Sequence, residues 1–252
     1  MEKLSAVIIT FNEEKNIERC ILSLEGVADE IVVLDSFSTD RTKEICEKYK
    51  VKFHTAKFDG YIEQKNKALT YATSTYVLSL DADEALSESL KASITEVKKD
   101  WGADGYTFNR LTNYCGEWIK HCGWYPDRKL RLFDTRKGRW AGLNPHDVLI
   151  MKADSVIKHL KGDLLHYSYY TIEEHYRQAE HFSTLSAEAK FEKGKKASLI
   201  KVWLSPVVKF LKCYLLQRGF LDGSAGWRIC TISAKESYLK YRKLRALYQQ
   251  KR

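Results

Sequence analysis

No stretch of the 252-residue sequence is long and apolar enough to cross a bilayer. The opening Met-Glu-Lys-Leu-Ser leads straight toward a strand without the apolar core of a secretory signal. A cytoplasmic chain is expected. Cysteine is sparse and dispersed: the six residues lie far apart, and Cys20 and Cys46 fall on faces that helical periodicity buries. They read as small apolar residues in a reducing compartment, not as a bridge framework. Cys115 and Cys122, with His121 beside them, lack zinc-ribbon spacing and no second pair follows, so no structural zinc site is expected. The first strand is not followed by Gly-x-Gly-x-x-Gly, and there is no Gly-Lys-Ser/Thr loop, which removes dinucleotide-binding and P-loop readings. Internal repeats and low-complexity tracts are also missing.

What is present is an ordinary globular balance, 44% hydrophobic and 30% charged, enough for one large domain or one with an appendage. Charge is unevenly placed. Lys193 to Arg252 holds 15 Lys plus Arg against Asp222 and Glu236, a local excess of +13 in a chain of net +9. A basic C-terminal third suits an anionic partner such as a membrane or nucleic acid, or a solvated helical face, which charge alone favours.

Over the first hundred residues strand and helix alternate. Leu4 to Thr10, Glu30 to Asp35, Val51 to Thr55 and Tyr76 to Leu80 read as strands; Glu14 to Leu24, Thr42 to Tyr49, Glu63 to Ala72 and a stretch from Ser87 read as helices. This order predicts an α/β fold with a mostly parallel sheet and helices on both faces. Ligands of such sheets bind at the carboxyl ends of the strands, where Thr10 to Glu13, Asp35 and Asp81 to Asp83 fall. From Gly105 to Leu111 a further strand is expected, followed by a stretch dense in aromatic and basic residues. Helices are expected over Ile172 to Glu192, Leu199 to Leu216 and Ser233 to Gln250, with Pro206 and Arg218-Gly-Phe-Leu-Asp-Gly as breaks.

The sharpest chemical signal is Asp81-Ala-Asp-Glu at the end of an apolar strand. Two carboxylates one residue apart in such a turn can hold Mg²⁺ or Mn²⁺ and bridge it to a diphosphate. Val7-Ile-Ile-Thr-Phe-Asn-Glu-Glu, Ile31-Val-Val-Leu-Asp-Ser-Phe-Ser-Thr-Asp-Arg-Thr and Gln64-Lys-Asn-Lys-Ala-Leu precede it in order. Together these four motifs resemble family 2 glycosyltransferases. Trp124-Tyr-Pro-Asp-Arg-Lys-Leu-Arg-Leu-Phe, Leu164-Leu-His-Tyr-Ser-Tyr and Arg218-Gly-Phe-Leu-Asp-Gly are similar to the subgroup of lipopolysaccharide core β-1,4-glucosyltransferases.

The resemblance implies the GT-A nucleotide-diphospho-sugar transferase fold over residues 1–170, with a donor half at 1–100 and an acceptor half at 101–170. A helical basic region at 171–252 would contact the membrane. It implies an inverting, metal-dependent enzyme transferring one sugar, glucose from UDP-glucose, to a glycolipid such as the lipopolysaccharide inner core. The site would lie on the inner face of the bacterial cytoplasmic membrane. Thr10, Phe11, Asn12, Glu13, Asp35, Lys65, Asn66 and Asp81 would hold the nucleotide sugar; Asp83, with His166 as a further ligand, would hold Mg²⁺ or Mn²⁺. Trp124, Arg128 and Arg131 would line the acceptor or the pyrophosphate. A single displacement needs a general base. The subgroup's His-Glu pair reads here as His146-Asp147 in Asn144-Pro-His-Asp-Val, which makes Asp147 the first candidate and Glu84 the second.

Phe37 stands where the family usually has glycine. The Gln-x-x-Arg-Trp signature of processive synthases is absent, because Arg136 occupies the glutamine position before Arg139-Trp140. Single-sugar transfer is therefore expected. Segment 197–220 mixes Leu, Val, Trp and Phe with Lys201, Lys209, Lys212 and Arg218, as an interfacial helix on anionic lipid does. The rival readings are a catalytically silent membrane-docking protein of the same fold and a basic nucleic-acid-binding protein. The second leaves Asp35, Asp81 and Asp83 on one rim without a purpose.

Overall fold

The computed structural model describes residues 2–143 and 146–250. The chain divides into two compact units, Met1–Arg110 with Asp127–Tyr167, and Leu111–Pro126 with Ser168–Arg252. Residues 111–126 belong with the helical unit.

The first unit begins β1 (Leu4–Thr10), α1 (Ile17–Ser23), β2 (Glu30–Asp35), α2 (Thr42–Lys48), β3 (Lys52–Thr55), α3 (Tyr61–Leu69) and β4 (Tyr76–Asp81). A short β5 (Glu84–Leu86) and α4 (Glu88–Val97) come next, then β6 (Gly105–Tyr114), whose end falls in the second unit with β7 (Glu117–Ile119), and, back in the first, β8 (Asp127–Asp134), β9 (Gly138–Leu143), β10 (His146–Met151) and β11 (Ile157–Tyr169). β3, β2, β1 and β4 pair in parallel, and the sheet continues through β8, β6, β11 and β5. β8 runs antiparallel to β4 and β6, β5 antiparallel to β11, and β9 with β10 forms a separate hairpin.

Both faces of the parallel part are covered, and the two-residue period of a strand sorts the side chains between them. Leu4, Ala6 and Ile8 pack with Ile17, Cys20, Ile21, Leu90 and Ile94, while Val7, Val32, Leu34 and Val77 pack with Ala68 and Phe133. Each such fully buried aliphatic side chain contributes on the order of 2 kcal/mol. Ser87 caps α4 by accepting from the Leu90 N–H. The register positions the site: Thr10 stands opposite Asp35 and Ile9 opposite Asp81, so three strand ends open on one rim.

In the second unit β7 pairs with Thr112–Tyr114 of β6. α5 (Ile172–Glu192) starts at a capping box in which Thr171 and Glu174 satisfy each other's backbone N–H groups. α6 (Leu199–Leu211) starts at the Ser198 cap and runs on through Pro206 into a π-helical turn, Lys212–Leu216. Pro206 thus does not break the helix; its missing N–H removes a single rung. A 3-10 turn, Gly219–Asp222, leads into α7 (Gly223–Gln250), which begins ten residues before the expected Ser233. The reason is tertiary. A Cβ on Gly226 would lie 1.9 Å from the Gly219 carbonyl oxygen, so glycine is required inside this helix for close approach to the turn. Among the described residues no helix is long and apolar enough to cross a membrane.

Candidate active site

A cleft of about 610 Å³ opens at the ends of β1 and β4, lined by Thr10, Phe11, Glu13, Ser36, Phe58, Tyr61, Gln64, Asp81, Asp83 and His166, among others. Phe11, Phe58 and Tyr61 are exposed there, and Phe58 meets Tyr61 edge to face at 5.1 Å. Aromatic rings on one side and carboxylates on the other suit a ligand with a flat base and a charged end. Thr10 Oγ1 is buried and has no hydrogen-bond partner among the described residues. Glu13, at the acidic side, is pushed above its ordinary pKa by burial, against a hydrogen bond from Asn16, with Asp83, Asp40 and Asp81 raising it further.

Asp81 is the hub. Lys65 Nζ lies 3.0 Å from its Oδ1 and Arg131 Nη2 2.8 Å from its Oδ2. Burial opposes the charge, but Arg131 and then Lys65 outweigh it and hold the carboxyl well below the usual carboxylate range. Glu84, fully buried, accepts the Asp81 N–H at 3.0 Å and pairs with Arg131 at 3.2 Å and Arg110 at 3.7 Å. Its carboxylate is engaged in holding the turn, which counts against it as the base. Arg131 stays charged because Glu84, Asp81 and Asp147 raise its pKa against burial.

Lys65 reaches across to Asp147 on β10, with Nζ 2.8 Å from Oδ2, and sits 4.4 Å over the Trp140 ring. It is a buried link rather than a side chain on an exposed helical face. Asn66 is tied up as well: its amide donates to the Trp140 carbonyl at 2.8 Å and accepts the Trp140 N–H at 3.1 Å, clamping α3 to β9. A second cavity of about 600 Å³ includes Asp81, Asp147, Lys65 and Trp140 in its walls, with Arg110, Arg128, Lys129 and Arg131. Asp81 lines both cavities. Residues 144 and 145 of the expected base motif lie outside the described residues, whereas Asp147 is partly exposed at the second cavity.

Asp83 and His166 come together as expected, with Nε2 3.1 Å from Oδ2, and the Tyr167 N–H donates to the Asp83 carbonyl. His166 Nδ1 is buried without a partner among the described residues. A carboxylate oxygen and an imidazole nitrogen at the edge of an acidic cleft are ligands that Mg²⁺ or, better, Mn²⁺ accepts.

The remaining expected residues sit apart. Asp35 is buried in its own turn, where it accepts the Ser38 N–H and hydroxyl, and Asn12 accepts the Thr39 N–H while its own N–H donates to Ser38. These two shape the loops behind the cleft and are not in its wall. Phe37 adopts φ +63°, the left-handed region that glycine occupies without strain. Trp124 belongs to the second unit, stacked on Tyr169 and edge-on to Tyr114 and His175, whereas Arg128 and Arg131 belong to the first. Sequence reasoning missed Phe58, Tyr61, Arg110 and Trp140. The aromatic pair flanks Gly60 before α3, a signal the sequence did carry; Arg110 and Trp140 have meaning only through partners distant in the chain.

Residues 5–155 match the family model described as glycosyl transferase family 2. The chain is 30% identical to an uncharacterized glycosyltransferase of Rickettsia typhi, over 98% of this chain and 88% of that protein. It is 29% identical to the lipopolysaccharide core biosynthesis glycosyltransferase LpsC of Rhizobium meliloti, over 94% of this chain and 93% of the other. Among solved structures, S. aureus TarS 1-349 in complex with UDP aligns at 17% identity over 99% of this chain and 92% of that one, with a TM-score of 0.45.

Proposed function

The chain belongs to glycosyl transferase family 2, and from that premise we propose that it moves one glucose from UDP-glucose, with inversion, onto a lipid-linked saccharide such as the lipopolysaccharide inner core. The observation that carries this reading is the pair of cavities meeting at Asp81: one aromatic and acidic, the other rich in guanidinium and ammonium groups.

The nucleotide base stacks among Phe11, Phe58 and Tyr61, and the Thr10 hydroxyl supplies a hydrogen bond it does not spend among the described residues. Asp83 and His166 would hold Mg²⁺ or Mn²⁺, which as a Lewis acid stabilises charge on a leaving diphosphate. Asp81 faces the donor and is kept ionised by Arg131 and Lys65. On the other side Asp147 takes the proton of the acceptor hydroxyl as the anomeric bond changes hands. Arg110, Arg128 and Lys129 give that cavity a cationic wall, which favours an acceptor carrying phosphate or carboxylate groups.

The acceptor's lipid explains the second unit. Leu199, Ile200, Trp203, Leu204, Val207 and Val208 on α6 are each at least 52% exposed, and Lys201, Lys209 and Lys212 stand exposed among them. Soluble surfaces rarely leave so many large apolar side chains uncovered on one helix. This is a surface for the anionic inner leaflet, with apolar groups entering the headgroup boundary and lysines meeting phosphates. The enzyme is peripheral.

The test is turnover. Purified protein is incubated with Mn²⁺, a panel of nucleotide sugars and delipidated or intact core oligosaccharide, and UDP release and product mass are tracked. Release that needs donor, acceptor and cation together, with UDP-glucose preferred, supports the reading. Absence of transfer from every nucleotide sugar to every acceptor would overturn it.

A further inference from the structure

Three cysteines that sequence spacing keeps apart meet at one point of the second unit. Cys122 lies just after β7, Cys213 in the π-helical turn and Cys230 on α7, and all three are buried. Cys230 Sγ is 2.9 Å from Cys213 Sγ and 3.8 Å from Cys122 Sγ. All three sulfurs lie within 4.8 Å of one another. A carboxylate stands beside one of them: Asp222 Oδ2 is 3.7 Å from Cys122 Sγ, and the side chain is nearly sealed from solvent. That carboxylate is held in place by the Lys120 and His121 N–H groups and by His121 Nδ1 at 2.7 Å. Gly219 forms the floor, since a Cβ there would come within 2.8 Å of Cys230 Sγ and 2.9 Å of Cys122 Sγ.

Cysteines used as small apolar filler have no reason to converge sulfur on sulfur beside a fixed carboxylate. We propose that Cys122, Cys213 and Cys230 bind one zinc ion as a structural site, with the Asp222 carboxylate beside Cys122 moving in as the fourth ligand. Thiolates disfavour hard cations and select zinc, which separates this site from the oxygen- and imidazole-bearing pair at Asp83 and His166. A tetrahedral site with zinc–sulfur bonds near 2.3 Å has sulfurs ~3.8 Å apart. Cys122 and Cys230 already have that separation, and Cys122 to Asp222 is close to it. Cys213 and Cys230 open by about 0.9 Å to reach it. On binding, the three thiols give their protons to solvent and the sulfurs donate lone pairs to the metal; nothing is oxidised or reduced. The buried hydrogen bond from His121 orients the carboxylate, as outer partners of metal ligands do. The closed site would pin residues 213–230, the segment that presents Leu215, Leu216, Phe220, Leu221 and Trp227 at the surface.

The experiment uses the full chain purified without a metal-chelating tag, its metal content measured by inductively coupled plasma mass spectrometry. One zinc per chain is expected, released by an organomercurial in step with thiol modification. Replacement by Co²⁺ should give a thiolate-to-metal charge-transfer band and the strong visible bands of a tetrahedral sulfur site. Cys213→Ser should lose both, and Cys115→Ser should keep both. A wild-type chain that carries no zinc and gives no cobalt spectrum overturns the proposal. So does an intact mass two hydrogens lighter with a peptide joining Cys213 to Cys230, which makes that pair a disulfide. Both of these outcomes are read from the wild-type chain, so misfolding of a variant does not affect them.

Discussion

Lys65 Nζ lies 2.8 Å from Oδ2 of Asp147, which joins α3 to β10 through one buried ion pair. The same ammonium reaches Asp81 at 3.0 Å, so the carboxylate assigned to the acceptor and the one assigned to the donor share a single cation. This shared cation fixes the spacing between the two sides of the site.

Asp147→Asn keeps an oxygen for Lys65 but removes the basic group. Nucleotide binding in the donor cleft should be unchanged, while turnover falls by roughly 10²–10⁴-fold, the usual contribution of a general base. Steady-state kinetics beside a binding isotherm for UDP separates the two effects. A fully active variant would remove Asp147 from the mechanism.

Glu84→Ala tests the holding role. Its fully buried carboxylate answers Arg131 and Arg110, and its loss strands Arg131 without a counter-charge on that side. Breaking a buried pair from one side costs about 3–5 kcal/mol. Urea denaturation should show a loss of that order. A variant as stable as wild type but catalytically dead would instead make Glu84 a candidate base again.

His175 is buried against Tyr114, Trp124 and Tyr169, and burial lowers its pKa from 6.5 to about 4. Between those values the unfolded chain binds the proton and the folded chain does not, so stability falls as pH drops from 6.5 toward 4 and rises with pH across the same window. The full difference is about 3 kcal/mol. Denaturation midpoints measured across this range should slope accordingly, and His175→Phe should flatten the slope. An unchanged slope in the variant would mean that other groups carry it.

The apolar face of α6 should seat on lipid. Ile200→Glu with Trp203→Glu replaces two side chains that are 75% and 65% exposed, so folding should be little affected. Sedimentation with vesicles containing anionic lipid should weaken by about tenfold or more, and high salt should weaken the wild type through its lysines. Equal binding by variant and wild type would move the membrane contact elsewhere.

Much of this site was legible in the sequence, for local reasons. An apolar strand run ending in Asp81-Ala-Asp83 announces paired carboxylates at a strand end, and the order of the βα units brings Thr10 and Asp35 beside them. The companion His166 was legible from its motif. What the sequence hid depended on long-range partners. Nothing local to Glu84 points to Arg131 and Arg110 against it, and nothing local to Lys65 points to Asp147, 82 residues away. β8 was obscured because Arg131 and Lys129 break the apolar pattern, although Arg131 is buried among carboxylates. The start of α7 was hidden because Gly223 and Gly226 look like breakers when only the close approach to Gly219 explains the second of them. The sulfurs at Cys122, Cys213 and Cys230 are separated by up to 108 residues, beyond any spacing rule.

The cleft at Asp81 and Asp83 should take a nucleoside diphosphate together with a divalent cation, and on this the proposed function stands. Calorimetric titration of the wild-type protein and of Asp83→Ala with UDP, each with and without Mn²⁺, tests it most directly. The wild type should bind UDP more tightly with Mn²⁺ than without, and Asp83→Ala should lose that strengthening by on the order of 100-fold with the melting temperature unchanged. Binding that ignores Mn²⁺ in both proteins, or no binding of UDP at all, would contradict it.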